Sequence, residues 1–377
     1  MMLLEYEGKA LLRSVGIRVP DGLVIRSMEN LFSELRNSPL CYPVAVKAQI
    51  ESGGRGKAGG IIRAESDDQV ISACTQLFGS RISGMPPNAL LIESWLPMER
   101  ELYLSVVADG ASDGYAVLFS AVGGIEVEEH NRLVKYPVGA PWRFRSQKLR
   151  TVLEVTELDF QVREKVIALS QRLVATAASR DCTTIEINPL AQLVDGDLVA
   201  LDAKVIFDEW AAFRNQTIRD LKQRSKDRAP ELLQHCLEMQ HMYVPLDGDI
   251  GLISGGAGMT MAAMDLIQEF GGRPACFLDC SPGPTSTRGY RPAFALLDAD
   301  PRVRVLLVSI FGGGTQMQRV ATAMKEVMSV RTSTKPVVFR LNGTNVDQVP
   351  AIFAEFGATN HARLEDAVVS AIGLAKG

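Results

Sequence analysis

Three times in this chain a short apolar run is followed by a cluster of glycines, and that pairing of strand-like stretch and bare-backbone loop narrows what it can fold into. The first cluster, Ser52-Gly53-Gly54-Arg55-Gly56-Lys57-Ala58-Gly59-Gly60, follows Val44-Ala45-Val46-Lys47-Ala48. The others are Ser254-Gly255-Gly256-Ala257-Gly258, after Ile250 to Ile253, and Phe311-Gly312-Gly313-Gly314, after Val303 to Ile310. A loop rich in backbone N–H donors, carrying two cations and preceded by a lysine, suits a polyphosphate. The first cluster is not a Walker A motif, because no Gly-Lys is followed by Ser or Thr at the required spacing, and it lacks the strand-to-helix context of a dinucleotide fingerprint. Taken alone, such a loop reads equally as a solvated turn, so its companions must decide.

The 377 residues exceed one ordinary core and point to two or three domains. A net charge of −4, without a basic stripe or an acidic tail, argues against nucleic acid as the main partner. The start, Met1-Met2-Leu3-Leu4-Glu5-Tyr6-Glu7-Gly8-Lys9, is acidic where a signal peptide needs a basic end, and no window approaches a membrane span. The six cysteines include no Cys-x-x-Cys pair, which speaks against a disulfide scaffold or a zinc site and for a reducing cytoplasm.

Along the first half, helical spacing over Glu5 to Val15 ends at Gly16, and strand-like runs follow at Val44 to Ala48, Ala89 to Glu93, Leu102 to Ala108 and Tyr115 to Ser120. A long helix is expected over Phe160 to Ala178, then Thr183 to Leu190, the turn Asp195-Gly196-Asp197, and Leu198 to Asp202. A polar stretch from about Leu221 to Val244 reads as a linker. Beyond it the runs Ile250 to Ile253, Ala275 to Leu278, Val303 to Ile310 and Pro336 to Leu341 each precede a helix-like segment, which implies right-handed crossovers and a parallel sheet covered on both faces. Ligands of such sheets lie at the carboxyl ends of the strands, and both later glycine clusters are expected there, opening helices whose free N–H groups hold an anion or simply making tight turns.

The order of motifs resembles the β subunit of succinyl-CoA synthetase over nearly the whole chain: Leu-x-Glu-Tyr-x-x-Lys at the start, the Lys47 strand, Gly-Gly-Arg-Gly-Lys-Ala-Gly-Gly, Gly123-Gly124-Ile125-Glu126-Val127-Glu128, Glu186-Ile187-Asn188-Pro189-Leu190, Leu201-Asp202-Ala203-Lys204 and Ile310-Phe311-Gly312-Gly313. The resemblance implies an α/β chain with an ATP-grasp nucleotide-binding domain over 1–225, a linker over 226–245, and a flavodoxin-like, doubly wound parallel-sheet CoA-ligase domain over 246–377. It implies that Lys47 contacts nucleotide phosphates, that Gly54, Arg55 and Gly56 cover them, that Glu93 lies near the base, and that Glu101, rather than Glu99, serves the ribose. Asn188 and Asp202 match magnesium ligands, a donor pair of the hard-oxygen kind that Mg²⁺ takes alongside phosphates and water. A three-residue hairpin loop at Asp195-Gly196-Asp197 would place them on one face, and a two-residue loop on opposite faces. Glu186 matches a glutamate that faces a phosphohistidine supplied by an α subunit, and Gly255, Gly313, Gly314 and Thr315 match the acid-substrate loops. None of His130, His235, His241 and His361 sits in a catalytic-looking motif, so the nucleophile is expected in trans.

The CoA-ligase half departs from the pattern. Gly255-Gly256-Ala257-Gly258 stands where the family has Asn-Gly-Ala-Gly, Asp279-Cys280-Ser281-Pro282-Gly283-Pro284 replaces Asp-Val-Gly-Gly-Gly-Ala, and Arg288 and Arg291 follow. The reading is therefore a β subunit of an ADP-forming acid–CoA ligase using ATP and Mg²⁺. Its expected partners are an α subunit that carries the phosphohistidine and a CoA-binding domain, CoA itself and a small anionic acid. Succinate is the family default, and malate or a sulfonated acid the alternative. A catalytically silent regulatory subunit and a self-contained acid–amine ligase are the rival classes.

Overall fold

The computed structural model describes residues 1–376 apart from 37, 39, 52–54, 57, 83, 125–132 and 281–285. The chain divides into two compact units, Met1–Lys222 and Gln223–Gly377.

The first unit contains two antiparallel sheets. In one, β1 (Gly22–Ile25), β2 (Val44–Gln49), β3 (Ile61–Ala64) and β4 (Ala89–Ser94) are ordered β1-β4-β2-β3. All six residues of β2 are buried because the strand is interior, and its apolar positions pack with Val70, Ala73, Cys74 and Leu77 of the helix Asp67–Phe78. That helix starts where Ser66 Oγ accepts from Gln69 N at 3.4 Å, satisfying one of its orphan donors. In the other sheet, β5 (Met98–Asp109), β6 (Gly114–Ser120), β7 (Val134–Gly139), β8 (Cys182–Leu193) and β10 (Lys204–Phe207) are ordered β10-β8-β5-β6-β7, and β9 (Leu198–Ala200) also pairs with β8. The long helix Phe160–Ser179 covers this sheet with Val162, Val166, Leu173 and Val174.

The β8–β9 hairpin has a three-residue loop, set one residue earlier than Asp195-Gly196-Asp197. Leu193 N bonds to Asp197 O at 2.8 Å, which leaves Val194-Asp195-Gly196 as a three-residue loop, and Asp195 Oδ1 accepts from Asp197 N at 2.9 Å. Leu190 consequently opposes Ala200 rather than Asp202. The same register resumes beyond the hairpin, with Lys204 opposite Glu186. Between these stretches lie the cis bond Asn188-Pro189 and the segment Leu201 to Ala203. The continued register puts Asn188 across from Asp202 and both on the Glu186 face.

The second unit is a five-stranded sheet of β11 (Met242–Pro245), β12 (Ile250–Ser254), β13 (Cys276–Asp279), β14 (Val305–Gln316) and β15 (Val337–Thr344), ordered β11-β13-β12-β14-β15. Four strands are parallel, as the apolar runs imply, and β11 is an antiparallel edge on which Pro245 is tolerated. Helices Ala257–Glu269 and Leu364–Lys376 bury Ala263, Ile267, Val368 and Ala371 on one face, and Thr287–Ala299, Met317–Val330 and Val349–Ala354 bury Phe294, Met324 and Phe353 on the other. The segment 226–245, read from its polarity as a linker, holds the helix Glu231–Glu238 and the edge strand β11. Cys236 is fully buried, so a few apolar contacts suffice to order an otherwise polar stretch.

Candidate active site

In the first unit a cavity of about 1070 Å³ is lined from both sheets and from the start of the first helix, Glu5–Ser14. Lys47, Arg55, Gly56, Glu93, Glu101, Glu186, Asn188 and Asp202 all line it, although they span 156 residues of sequence. Gly54 lies outside the described residues. The volume matches that of cofactor and nucleotide pockets.

Lys47 stands on the buried strand β2. Its Nζ donates to Leu201 O at 2.7 Å, pairs with Glu5 Oε1 at 3.1 Å and makes a close ion pair with Glu93. Burial by itself lowers the pKa of the ammonium, but the carboxylates of Glu5 and Glu93 outweigh it and raise the group above the ordinary lysine value. The Arg55 side chain reaches back to the strand: Nη1 donates to Ala48 O at 3.0 Å and to Glu5 Oε2 at 2.6 Å, and Nη2 reaches Asp202 Oδ2 at 3.0 Å. Gly60 makes this possible, because a Cβ there would lie 2.6 Å from Arg55 Cγ.

Glu93 is 2% exposed on β4, inside its sheet, and its carboxylate takes Lys9 at 2.5 Å as well as Lys47. Its side chain therefore turns toward the cations. Ser94, Trp95, Leu96 and Met98, which follow it, line the cavity with Ile61 and Ala45.

Across the cavity, Tyr103 Oη donates to Glu186 Oε2 at 3.1 Å. Asn188 spends its amide on the Gly123-Gly124 turn: Oδ1 accepts from Gly124 N at 2.7 Å and Nδ2 donates to Gly124 O at 3.1 Å. One lone pair of Oδ1 remains for another partner. Gly124 has φ +75°, and a Cβ on it would come within 2.3 Å of Glu101 Oε2, so a glycine is what lets Glu101, Gly124 and Asn188 converge. Glu99 instead accepts from Gln192 at 3.2 Å on exposed surface. The Asp202 side chain is 37% exposed, and Oδ1 accepts from Ala203 N at 2.7 Å. No group of three His, Cys, Asp or Glu suited to a metal occurs among the described residues. One carboxylate and one amide oxygen facing the same cavity fit a hard divalent cation that keeps waters and shares phosphate oxygens, which is the chemistry of Mg²⁺ rather than of zinc.

Sequence reasoning did not single out Glu5, Lys9 and Tyr103 individually. Glu5 and Lys9 belong to the Leu-x-Glu-Tyr-x-x-Lys pattern at one-turn spacing, which was the available signal.

In the second unit the chain crosses from β12 to β13 on one side and then from β13 back past β12 to β14 on the other, so a topological switch point falls between β12 and β14. Gly255 follows β12 directly, and Gly313, Gly314 and Thr315 lie on β14 past its pairing with β12. The second glycine cluster opens a helix as expected, with Gly256 at φ +95° and its N–H bonded to Asp279 Oδ1 at 2.7 Å. The third cluster does not. Strand β14 continues through Gln316, the helix begins at Met317, and Gly312 pairs with Gly343 before the register shifts. A Cβ on Gly343 would stand 2.2 Å from Gly312 O, so these glycines serve close strand approach. Arg288 and Arg291 are exposed on the helix Thr287–Ala299, while Pro282 and Pro284 lie outside the described residues. Sequence reasoning also passed over Arg340, which opposes Ser309, is 9% exposed and has its guanidinium 5.9 Å from the Phe311 ring.

Residues 2–192 match the ATP-grasp domain family and residues 253–368 the CoA-ligase family. The chain is 34% identical over 385 residues to the succinate–CoA ligase [ADP-forming] subunit beta of Desulfurococcus amylolyticus and 35% identical over 386 residues to that of Pyrobaculum aerophilum, in both cases covering 100% of each chain. The corresponding subunit of Thioalkalivibrio sulfidiphilus is 35% identical over 369 residues, 95% of each chain. Among solved structures, ATP citrate lyase from Methanothrix soehngenii, in complex with citrate and coenzyme A, superposes with a TM-score of 0.74 at 17% identity over 99% of both chains, a likeness of fold. Full-length identity at this level, with both domain families in order, shows that the chain belongs to the family of β subunits of ADP-forming succinate–CoA ligases.

Proposed function

We propose that this chain is the nucleotide-binding subunit of an ADP-forming acid–CoA ligase and that the cavity of the first unit receives ATP. The observation that carries the reading is the convergence of Lys47, Arg55, Glu101, Glu186, Asn188 and Asp202 on one cavity. The purine lies against Ile61, Ala45 and Leu96, with backbone groups of residues 94–96 at its edge, and Glu101 accepts from the ribose hydroxyls. Lys47 and Arg55 face the phosphates as fixed positive charge, so they stabilise the anionic transferring phosphoryl group without reorganising. Asn188 and Asp202 would hold Mg²⁺, which, when bound, neutralises phosphate charge.

The γ-phosphoryl group passes to a histidine nitrogen of an α partner as the bond to the ADP oxygen breaks. Glu186, oriented by Tyr103, accepts from the other imidazole nitrogen and holds the ring in the tautomer that attacks. The phosphoryl group then moves to the acid carboxylate, and CoA thiolate attacks the acyl phosphate and releases inorganic phosphate. Of this chain's own histidines, His241 is 4% exposed, and burial lowers its pKa while Asp279 acts against that shift. Buried in this way it is a poor phosphoryl acceptor, and no histidine is among the described residues that line the cavity, which supports a nucleophile in trans. Gly255, Gly313, Gly314 and Thr315 at the switch point would receive the acid in the second unit. Succinate is the acid to test first, with malate and a sulfonated acid as rivals because of the altered loop after β13. A cytoplasmic location fits this chemistry.

The purified chain should bind Mg-ATP yet form no ADP in response to acid and CoA, and the activity should appear on adding the α subunit encoded with it. Acid-dependent ADP formation by the single chain would overturn the reading.

A further inference from the structure

The N-terminal pattern Leu-x-Glu-Tyr-x-x-Lys supplies two buried charges that the reaction scheme leaves without a role. Glu5 opens the first helix with its side chain 3% exposed, and Lys9 follows one turn later at 6%. Gly8, on the intervening turn, lets the helix pack tightly, because a Cβ there would already be 3.1 Å from Ala203 O. The helix start is thereby fixed beside the segment that carries Asp202.

Both oxygens of Glu5 are saturated. Oε1 takes Lys9 at 2.8 Å and Lys47 at 3.1 Å, and Oε2 takes Arg55 at 2.6 Å and Gln49 Nε2 at 3.0 Å. Gln49 is itself held, since its Oε1 accepts from Tyr6 N at 3.1 Å. Four donors on the four lone-pair sites of one immobile carboxylate leave little choice of geometry. Lys47 is otherwise a point charge on a flexible stem, and Arg55 comes from a glycine-rich loop, so neither is rigid by its own covalent structure.

We propose that Glu5 is a positioning residue for phosphate recognition: its carboxylate fixes where Lys47 and Arg55 present their charge to the cavity. The inference rests on reading that cavity as the nucleotide site. Lys9 balances the arrangement. Lys9, Lys47 and Arg55 face Glu5, Glu93 and Asp202, three cations against three anions. Without Glu5, Lys47 keeps its ion pair with Glu93 and Arg55 its pair with Asp202, so each is drawn onto the carboxylate that remains to it at the cavity wall.

The test measures Mg-ATP and adenosine affinities of the full chain, adenosine by competition, for wild type, Glu5→Gln, Glu5→Gln/Lys9→Met, Lys47→Met and Glu5→Gln/Lys47→Met. The Glu5→Gln/Lys9→Met variant keeps the remaining network neutral at two cations and two anions, so it folds even where Glu5→Gln alone does not. Positioning predicts that Glu5→Gln and Glu5→Gln/Lys9→Met lose about tenfold or more in Mg-ATP affinity while adenosine stays within about twofold, and that Glu5→Gln costs less in a Lys47→Met background than in wild type, the remaining loss acting through Arg55. A merely structural Glu5 would lower both affinities together, and wild-type Mg-ATP affinity in Glu5→Gln/Lys9→Met would likewise overturn the inference. The wild type separates the two levels: if it binds Mg-ATP no better than adenosine, the nucleotide reading itself fails and this inference falls with it.

Discussion

Asp202 joins two demands in one side chain. It pairs with Arg55 at 3.0 Å and lines the same cavity as Asn188, so its charge serves both the guanidinium and the proposed cation. Asp202→Asn should leave the fold intact, because the side chain is 37% exposed and an amide still accepts from Ala203 N. Binding of Mg-nucleotide should weaken by about tenfold or more, since an anionic oxygen ligand is lost. Unchanged affinity at low Mg²⁺ would remove Asp202 from the metal site. Glu5 offers a second test at this scale. Burial pushes its carboxyl up, but Lys47, Lys9 and Arg55 outweigh burial and hold it well below the usual carboxylate range. Between the ordinary glutamate value, about 4.3, and the lowered one, the unfolded chain binds a proton that the folded chain does not. Stability therefore rises with pH through that window and is lost as pH falls through it. Tm measured downward from about pH 6 should drop more steeply for wild type than for Glu5→Gln, and parallel curves would show that Glu5 is not the titrating group.

At the scale of elements, glycines separate two kinds of demand that sequence alone does not distinguish. Gly124 and Gly196 have φ +75° and +76°, yet a Cβ on Gly124 meets Glu101 at 2.3 Å while one on Gly196 meets nothing within 4 Å. Gly196→Ala should thus cost only backbone strain, about 1 kcal/mol, and leave nucleotide binding alone. Gly124→Ala should add to that strain a displacement of Glu101 and of the Asn188 amide, and so weaken nucleotide binding. Equal affinities in the two variants would contradict this account of the turn. The same ambiguity explains which elements were legible. The long helix Phe160–Ser179 and the parallel strands follow from local periodicity, since each apolar face is written within one segment. The hairpin register was not, because Asp195 and Asp197 both suit a turn and only the backbone pairing of Leu193 with Asp197 selects the loop. Nor was the end of β14: Gly312 to Gly314 read as a helix entry, whereas the strand continues because Gly343 of β15 admits close approach. The polar segment around Glu231–Glu238 hid a helix and an edge strand whose apolar contacts are few.

For the whole molecule, two units with separate cores divide the chemistry proposed here into nucleotide recognition and acid activation. No helix among the described residues is long and apolar enough to cross a membrane. The cavity residues came from motif order, since Lys47 and Asp202 are joined by no local pattern. What motif order did not convey was the partnership of charges. Glu5, Lys47, Arg55 and Glu93 meet through pairing of β2 with β4 and packing of the first helix, contacts between positions far apart in sequence. The central claim, that this chain delivers the γ-phosphoryl group to a histidine it does not itself own, is tested most directly with γ-labelled ATP. Incubated with the α subunit, wild-type chain should place acid-labile, base-stable label on an α histidine, and Lys47→Met or Asp202→Asn should abolish it. Label retained on this chain, or labelling of α that persists when this chain is omitted, would contradict the account.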